Sequence, residues 1–212
     1  MIEIIVFTGS AILAYLAGAF PTSYIMAKAV KGVDIRQHGS QNVGATNVFR
    51  VVGKLPALIT LIIDILKGVL VVTLLYTFSY SFLSETIDAD FYRAFLGFTA
   101  ICGHIWPVFL KFKGGKGVAT TLGVIAVLSP VVFLVSGAIW IIVFSFSNYV
   151  SMASIIMAVS FPIISAILAL PFYTTLFCIA VCLVTCYKHK SNIERLLTGR
   201  ENKTFLFKKV KI

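Results

Sequence analysis

Two short segments, GSQNVGATNVFR (Gly39 to Arg50) and KFKGGKGVATT (Lys111 to Thr121), crowd glycine, amide, hydroxyl and cationic residues between long apolar stretches. Glycine bares backbone N–H groups and fixed Lys or Arg charges attract anions, so both segments are suited to holding phosphate. In the first, Ser40, Asn42, Thr46 and Asn47 offer neutral hydrogen-bonding groups, and Arg50 offers a planar fork for bidentate contact. In the second, Gly114, Gly115 and Gly117 surround Lys116 just before an apolar run opens at Val118. That arrangement can aim free N–H groups and a positive helix end at an anion or a developing oxyanion. It is not a Walker A loop, which needs glycine at Leu110 and Ser or Thr at Gly117.

A third segment, KHKSNIERLLTGREN, sets His189 and Asn192 three residues apart, on one face if the segment is helical, with Arg195 beyond them. By default His189 is the candidate loop group that titrates near neutrality. Blander readings compete: a polar turn with a snorkelling Arg50, cations placed for lipid headgroups, an interfacial histidine.

The elements that must position these groups are apolar. Hydrophobic residues make up 59% of the 212 residues and charged ones 12%, with a mean hydropathy of +0.99. These values predict one polytopic all-α membrane domain over residues 1–212. Candidate spans run at about 4 to 27, 54 to 80, 91 to 110, 118 to 129, 130 to 147, 151 to 169 and 170 to 187. Residues 118 to 147 as a single helix would reach about 45 Å, too long for a hydrocarbon core of about 30 Å, and Ser129-Pro130 offers a break. The N-terminal run carries Glu3 and no cationic flank, which argues for a retained span over a signal peptide.

Charge sets the orientation. Of 18 Lys and Arg, 16 lie in the stretch from Lys28 to Lys54, in Lys111 to Lys116 or in the tail from Lys188. Placing all three on the cytoplasmic side requires 118 to 147 to cross twice, giving seven transmembrane helices, an extracytoplasmic N-terminus and a cytoplasmic C-terminus. The loop holding Glu85, Asp88 and Asp90 then falls outside. Asp64 and Lys67, three apart inside the second span, read as a self-neutralising pair. The net charge of +10 is sorted by loop and shows no nucleic-acid pattern. Cys102, Cys178, Cys182 and Cys186 read as small packing residues, with no metal implied.

The segments GSQNVGATNVFR, GHIWPVFLKFKGGKGVAT and HKSNIERLLTGRE, with AGAFPTSYIMAK ahead of them, resemble the motifs of the PlsY family in order and spacing over essentially the whole chain. These are the acyl-phosphate:glycerol-3-phosphate acyltransferases of bacterial phospholipid synthesis. The resemblance implies seven helices in the bacterial cytoplasmic membrane, with the site facing the cytoplasm. It implies transfer of an acyl group from acyl phosphate to the 1-hydroxyl of glycerol-3-phosphate, giving lysophosphatidic acid and phosphate. Ser40, His189 and Asn192 would be catalytic and Arg50 and Lys116 would hold phosphate, while Glu201 matches a structural glutamate. Ser154, or failing it Ser151, matches a phosphate-binding serine. The family commonly has glycine where Gln41 stands, which a positive φ would explain.

Acyl phosphate is already activated, so neither a covalent nucleophile nor a metal or other cofactor is required. The implied partners are the two substrates, membrane lipid and a soluble enzyme that makes acyl phosphate. The proton of the attacking hydroxyl would go to His189 or to the acyl phosphate. A carrier or channel for an organic phosphate is the alternative, and it would place polar residues deep in several spans. A structural membrane subunit would leave both glycine loops unexplained.

Overall fold

The computed structural model describes residues 1–83 and 87–205, and all its regular structure is helical. Ile2–Ala19 (α1) and Thr22–Lys31 (α2) lie either side of Phe20-Pro21, which interrupts the helix within a single apolar stretch over the expected first span. Proline cannot donate a backbone hydrogen bond and biases the preceding residue away from helix, and Phe20 accordingly has φ −55 and ψ 118. Ala45–Val51 (α3) is the short helix of the first polar segment.

Lys54–Leu70 (α4) runs through a π-turn at Val71–Leu75 into Tyr76–Tyr80 (α5), making one apolar stretch over the predicted second span. Ala89–Ile105 (α6) follows, then Val118–Leu128 (α7) and Pro130–Ser147 (α8). The last two separate where expected. Pro130 occupies the first turn of α8 and Ser129 caps it by accepting from the Val132 N–H. Val150–Ile167 (α9), Phe172–Lys188 (α10) and Lys190–Leu197 (α11) complete the chain.

Among the described residues, five helical stretches have the length and apolarity to cross a membrane, and a sixth does if α10 and α11, bent by 60° at His189, are taken together. At 11 residues, α7 is about 16 Å long, about half a hydrocarbon core. It packs directly on α4, where side chains at Gly68 and Gly123 would collide with the backbones of Thr120 and Ile65. Large apolar side chains are exposed along α8, among them Leu134, Ile141 and Phe146, as expected of a helix facing lipid.

One interior polar network ties helices together: the buried Tyr92 hydroxyl bonds Ser10 and Ser79, joining α6 to α1 and α5. Glu85 and the tail lysines Lys208, Lys209 and Lys211, which entered the charge argument, lie outside the described residues.

Candidate active site

The first polar segment is held in shape from within. Asn47, buried at the start of α3, accepts from the Ser40 N–H at 2.8 Å, and its amide donates to the carbonyls of Ile35, His38 and Asn42. This corrects the expectation for Asn47: its side chain borders the site but its hydrogen-bonding capacity goes to the loop. Gln41 has φ 59, the left-handed conformation that glycine adopts without strain. The glycine usual in the family at this position is thereby explained.

The second segment carries a further correction. Gly114 N–H donates to the Ile105 carbonyl at 3.2 Å and Gly115 N–H to the His104 carbonyl at 3.1 Å, so neither is free for an anion. Both glycines lie behind the site because close contact leaves no room for a side chain: one at Gly114 would meet the backbone of His104 and one at Gly115 the His104 ring. Gly117, at φ 80, turns the chain into α7, whose first turn opens on the site with its N–H groups unused by the helix.

The third segment hinges at His189. Its Nδ1 lies 2.8 Å from the Thr185 carbonyl, which can only accept, so Nδ1 carries the proton and Nε2 is the acceptor. Asn192, on the first turn of α11, accepts from Lys116 Nζ at 2.5 Å and donates to Glu201 Oε1 at 2.9 Å. Glu201 also takes Ser151 at 3.0 Å and Arg195 at 2.7 Å. Four segments are thus tied through one carboxylate.

Together these residues line a cavity of about 770 Å³. Its lining includes Ser40, Asn42, Thr46, Asn47, Arg50, Lys116, Gly117, Ser154, His189 and Asn192; Ser151 lines it too. Arg50 reaches Thr204 Oγ1 at 3.2 Å and the Asn202 carbonyl at 3.4 Å. Ser154 accepts from the Trp140 indole at 3.2 Å. Leu58, Leu61, Ile65, Leu122 and Phe144 add apolar surface to the same cavity.

The cavity also gathers Lys54, Lys188 and Arg195, so with Arg50 and Lys116 its cations outnumber its carboxylates, Asp64 and Glu201, and the site attracts anions. Burial lowers Lys116 from 10.5 to about 8. Burial, and then the Lys116 charge, lowers His189 from 6.5 to about 4. The group that titrates near working pH is therefore Lys116, not His189 as expected from the sequence. Burial also lowers Arg50, against the pull of Glu201. Burial works to raise Glu201, but its bonds to Arg195, Asn192 and Ser151 hold it below the ordinary value.

Sequence reasoning missed His104, Trp140, Lys188 and Thr204 as cavity residues. His104 alone left a trace, as a polar residue within an apolar run next to the second motif.

A multi-helix membrane fold with one cavity lined by both cations and apolar side chains defines an integral membrane protein whose site suits an amphiphile with an anionic head. The chain belongs to the glycerol-3-phosphate acyltransferase family, the PlsY family, whose model matches residues 8–199. It is 43% identical over 197 residues to the glycerol-3-phosphate acyltransferase of Desulforudis audaxviator, covering 93% of this chain and 94% of that one. It is 45% identical to that of Endomicrobium trichonymphae, covering 93% and 96%. The crystal structure of PlsY, an integral membrane glycerol 3-phosphate acyltransferase, in its glycerol 3-phosphate form is similar with a TM-score of 0.85 and 38% identity, over 95% of this chain and 99% of that one. Its lysophosphatidic acid form gives 0.82 and 37%, over 94% and 95%.

Proposed function

We propose that this chain transfers an acyl group from acyl phosphate to the 1-hydroxyl of glycerol-3-phosphate, releasing lysophosphatidic acid and inorganic phosphate. The observation that carries the reading is the mixed lining of one cavity. Arg50 and Lys116 share it with Leu58, Leu61 and Phe144, a combination that suits a phosphate head and an acyl tail. The two forms of the solved relative, glycerol 3-phosphate and lysophosphatidic acid, support the same acceptor and product.

Direct attack is the simplest route. The 1-hydroxyl oxygen bonds to the acyl carbon, the anhydride C–O bond breaks, and its electron pair leaves with phosphate. Arg50 and Lys116 hold the two phosphates, with Ser154 and the α7 N-terminus beside them, so that positioning supplies much of the rate. His189 Nε2, oriented by the Nδ1 contact to Thr185, accepts from the 2-hydroxyl of glycerol-3-phosphate and leaves the 1-hydroxyl proton free to pass to phosphate. A histidine lowered to about 4 is a weak base, and the departing phosphate, with a second pKa of about 6, is the better proton acceptor. That favours the substrate-assisted route. Asn192 steers Lys116, and Ser40 adds to the head-group contacts.

In this reading residues 1–212 form one domain of seven crossings, with α7 completing a crossing beside α4. The N-terminus is extracytoplasmic, and the cavity and C-terminus face the cytoplasm of a bacterial inner membrane, where a soluble enzyme supplies acyl phosphate. The carrier alternative is not favoured. Asp64, Lys67 and His104, the ionisable groups at depth around the cavity, are paired with one another and outline no pathway.

The test is purified protein in lipid with labelled glycerol-3-phosphate and, in turn, acyl phosphate, acyl-CoA and acyl carrier protein. Turnover with acyl phosphate and little with the others is expected. Equal rates with acyl-CoA would overturn the donor assignment.

A further inference from the structure

At the wall of the cavity, where Asp64 and His104 line it, lies a buried polar cluster that the chemistry above does not use. Asp64 and Lys67 of α4 form an ion pair of 2.9 Å, their side chains 2% and 7% exposed. Thr22 of α2 donates to Asp64 Oδ1 at 3.0 Å, and Lys67 Nζ lies 2.8 Å from Nδ1 of the buried His104. An ammonium only donates, so Nδ1 is the acceptor and Nε2 carries the ring proton. Apolar side chains of similar volume would stabilise a membrane interior at least as well as a buried ion pair, so packing alone does not account for the cluster.

What the cluster touches is the glycine loop. His104 meets it twice: its carbonyl accepts from Gly115 N–H at 3.1 Å, and its ring fills the space a side chain at Gly115 would need. The next residue is Lys116, whose ammonium reaches Asn192. Lys67 sets the ring orientation, Asp64 holds Lys67, and Thr22, just past Pro21, holds Asp64. A continuous set of contacts therefore runs from the membrane-embedded ion pair to the backbone that carries Lys116.

We propose that Asp64, Lys67 and His104 are positioning residues for Lys116: the ion pair fixes the His104 ring, Gly115 rests on it, and the Lys116 ammonium is thereby placed for the substrate phosphate. This deepens, and rests on, the acyltransferase reading.

The full chain is tested in lipid. Wild-type turnover of acyl phosphate and glycerol-3-phosphate is measured first; its absence defeats the acyltransferase reading, not the placement of the loop. Asp64→Asn combined with Lys67→Met then removes both charges together, leaving no uncompensated ion. Separately, His104→Asn keeps an acceptor for Lys67 but withdraws the ring from beneath Gly115. Each is expected to speed amide hydrogen exchange across 114–117 by at least about tenfold, with exchange across 39–50 unchanged. Each is expected to lower kcat/KM by about tenfold to a hundredfold, the scale of a misplaced binding group.

In a Lys116→Ala background the same substitutions should cost less than about twofold, because their effect runs through the missing ammonium. Unchanged exchange across 114–117 overturns the proposal whatever the activity does. So does an equal fold-loss with and without Lys116.

Discussion

Lys116 Nζ donates to Asn192 Oδ1 at 2.5 Å although the two residues are 76 positions apart. The bond joins the glycine loop ahead of α7 to the first turn of α11, and it fixes which end of the Asn192 amide faces the cation. Because Asn192 then presents its NH₂ to Glu201, the carboxylate sets the orientation of Lys116 without touching it.

The pH dependence follows from Lys116, lowered by burial to about 8. The free enzyme loses this charge as pH rises through about 8, so kcat/KM for glycerol-3-phosphate should fall on that limb. Lys116→Arg remains protonated and should abolish the limb while lowering the plateau. The stability sign is opposite to that of a paired lysine. The folded state binds this proton more weakly than the unfolded chain, so the cost is full below about 8 and fades toward 10.5. Rate profiles and thermal unfolding between these values check both statements.

Arg50→Ala should cost at least about 2 kcal/mol of transition-state stabilisation, or about thirtyfold in kcat/KM, in protein that remains folded. Arg50→Lys should recover only part, since the planar fork is lost. Steady-state kinetics with both substrates varied will show whether KM or kcat carries the loss.

His189 is neutral down to about 4, so it should impose no inflection on kcat between about pH 5.5 and 8. His189→Asn should keep an orienting contact and part of the rate, with the same profile shape over that interval. His189→Ala should lose more. A new dependence on pH in His189→Asn would return the histidine to the role of general base.

Glu201→Gln should lower stability by about 2 kcal/mol, because a neutral amide must turn its NH₂ toward one of the donors Arg195, Asn192 or Ser151. The contribution of Glu201 is present above the ordinary carboxylate pKa and is lost as pH falls through its lowered folded value. Thermal unfolding of wild type and variant should therefore converge in acid.

Gln41→Gly should stabilise the protein by about 0.5 to 1 kcal/mol, since the left-handed strain relieved outweighs the added freedom of the unfolded chain. Denaturant or thermal unfolding measures the difference directly.

The sequence by itself determined the class of the protein and singled out many of the polar residues that line its cavity. Apolar runs punctuated by glycine, proline and charge mark out membrane helices, because hydrocarbon tolerates no unsatisfied backbone. Three loops rich in cations and glycine announce an anion. The Ser129-Pro130 break needed only local chemistry. The tertiary structure decided which of these groups face the cavity and which serve the loops. Asn47, Gly114 and Gly115 have the right chemistry for phosphate, yet their hydrogen bonds go to neighbouring backbone, a choice made by contacts that only folding creates. Titration was equally out of reach: a default histidine pKa says nothing of the burial and adjacent Lys116 that move it. The pairing of His104 with Lys67 spans two helices, and no periodicity in either one encodes it.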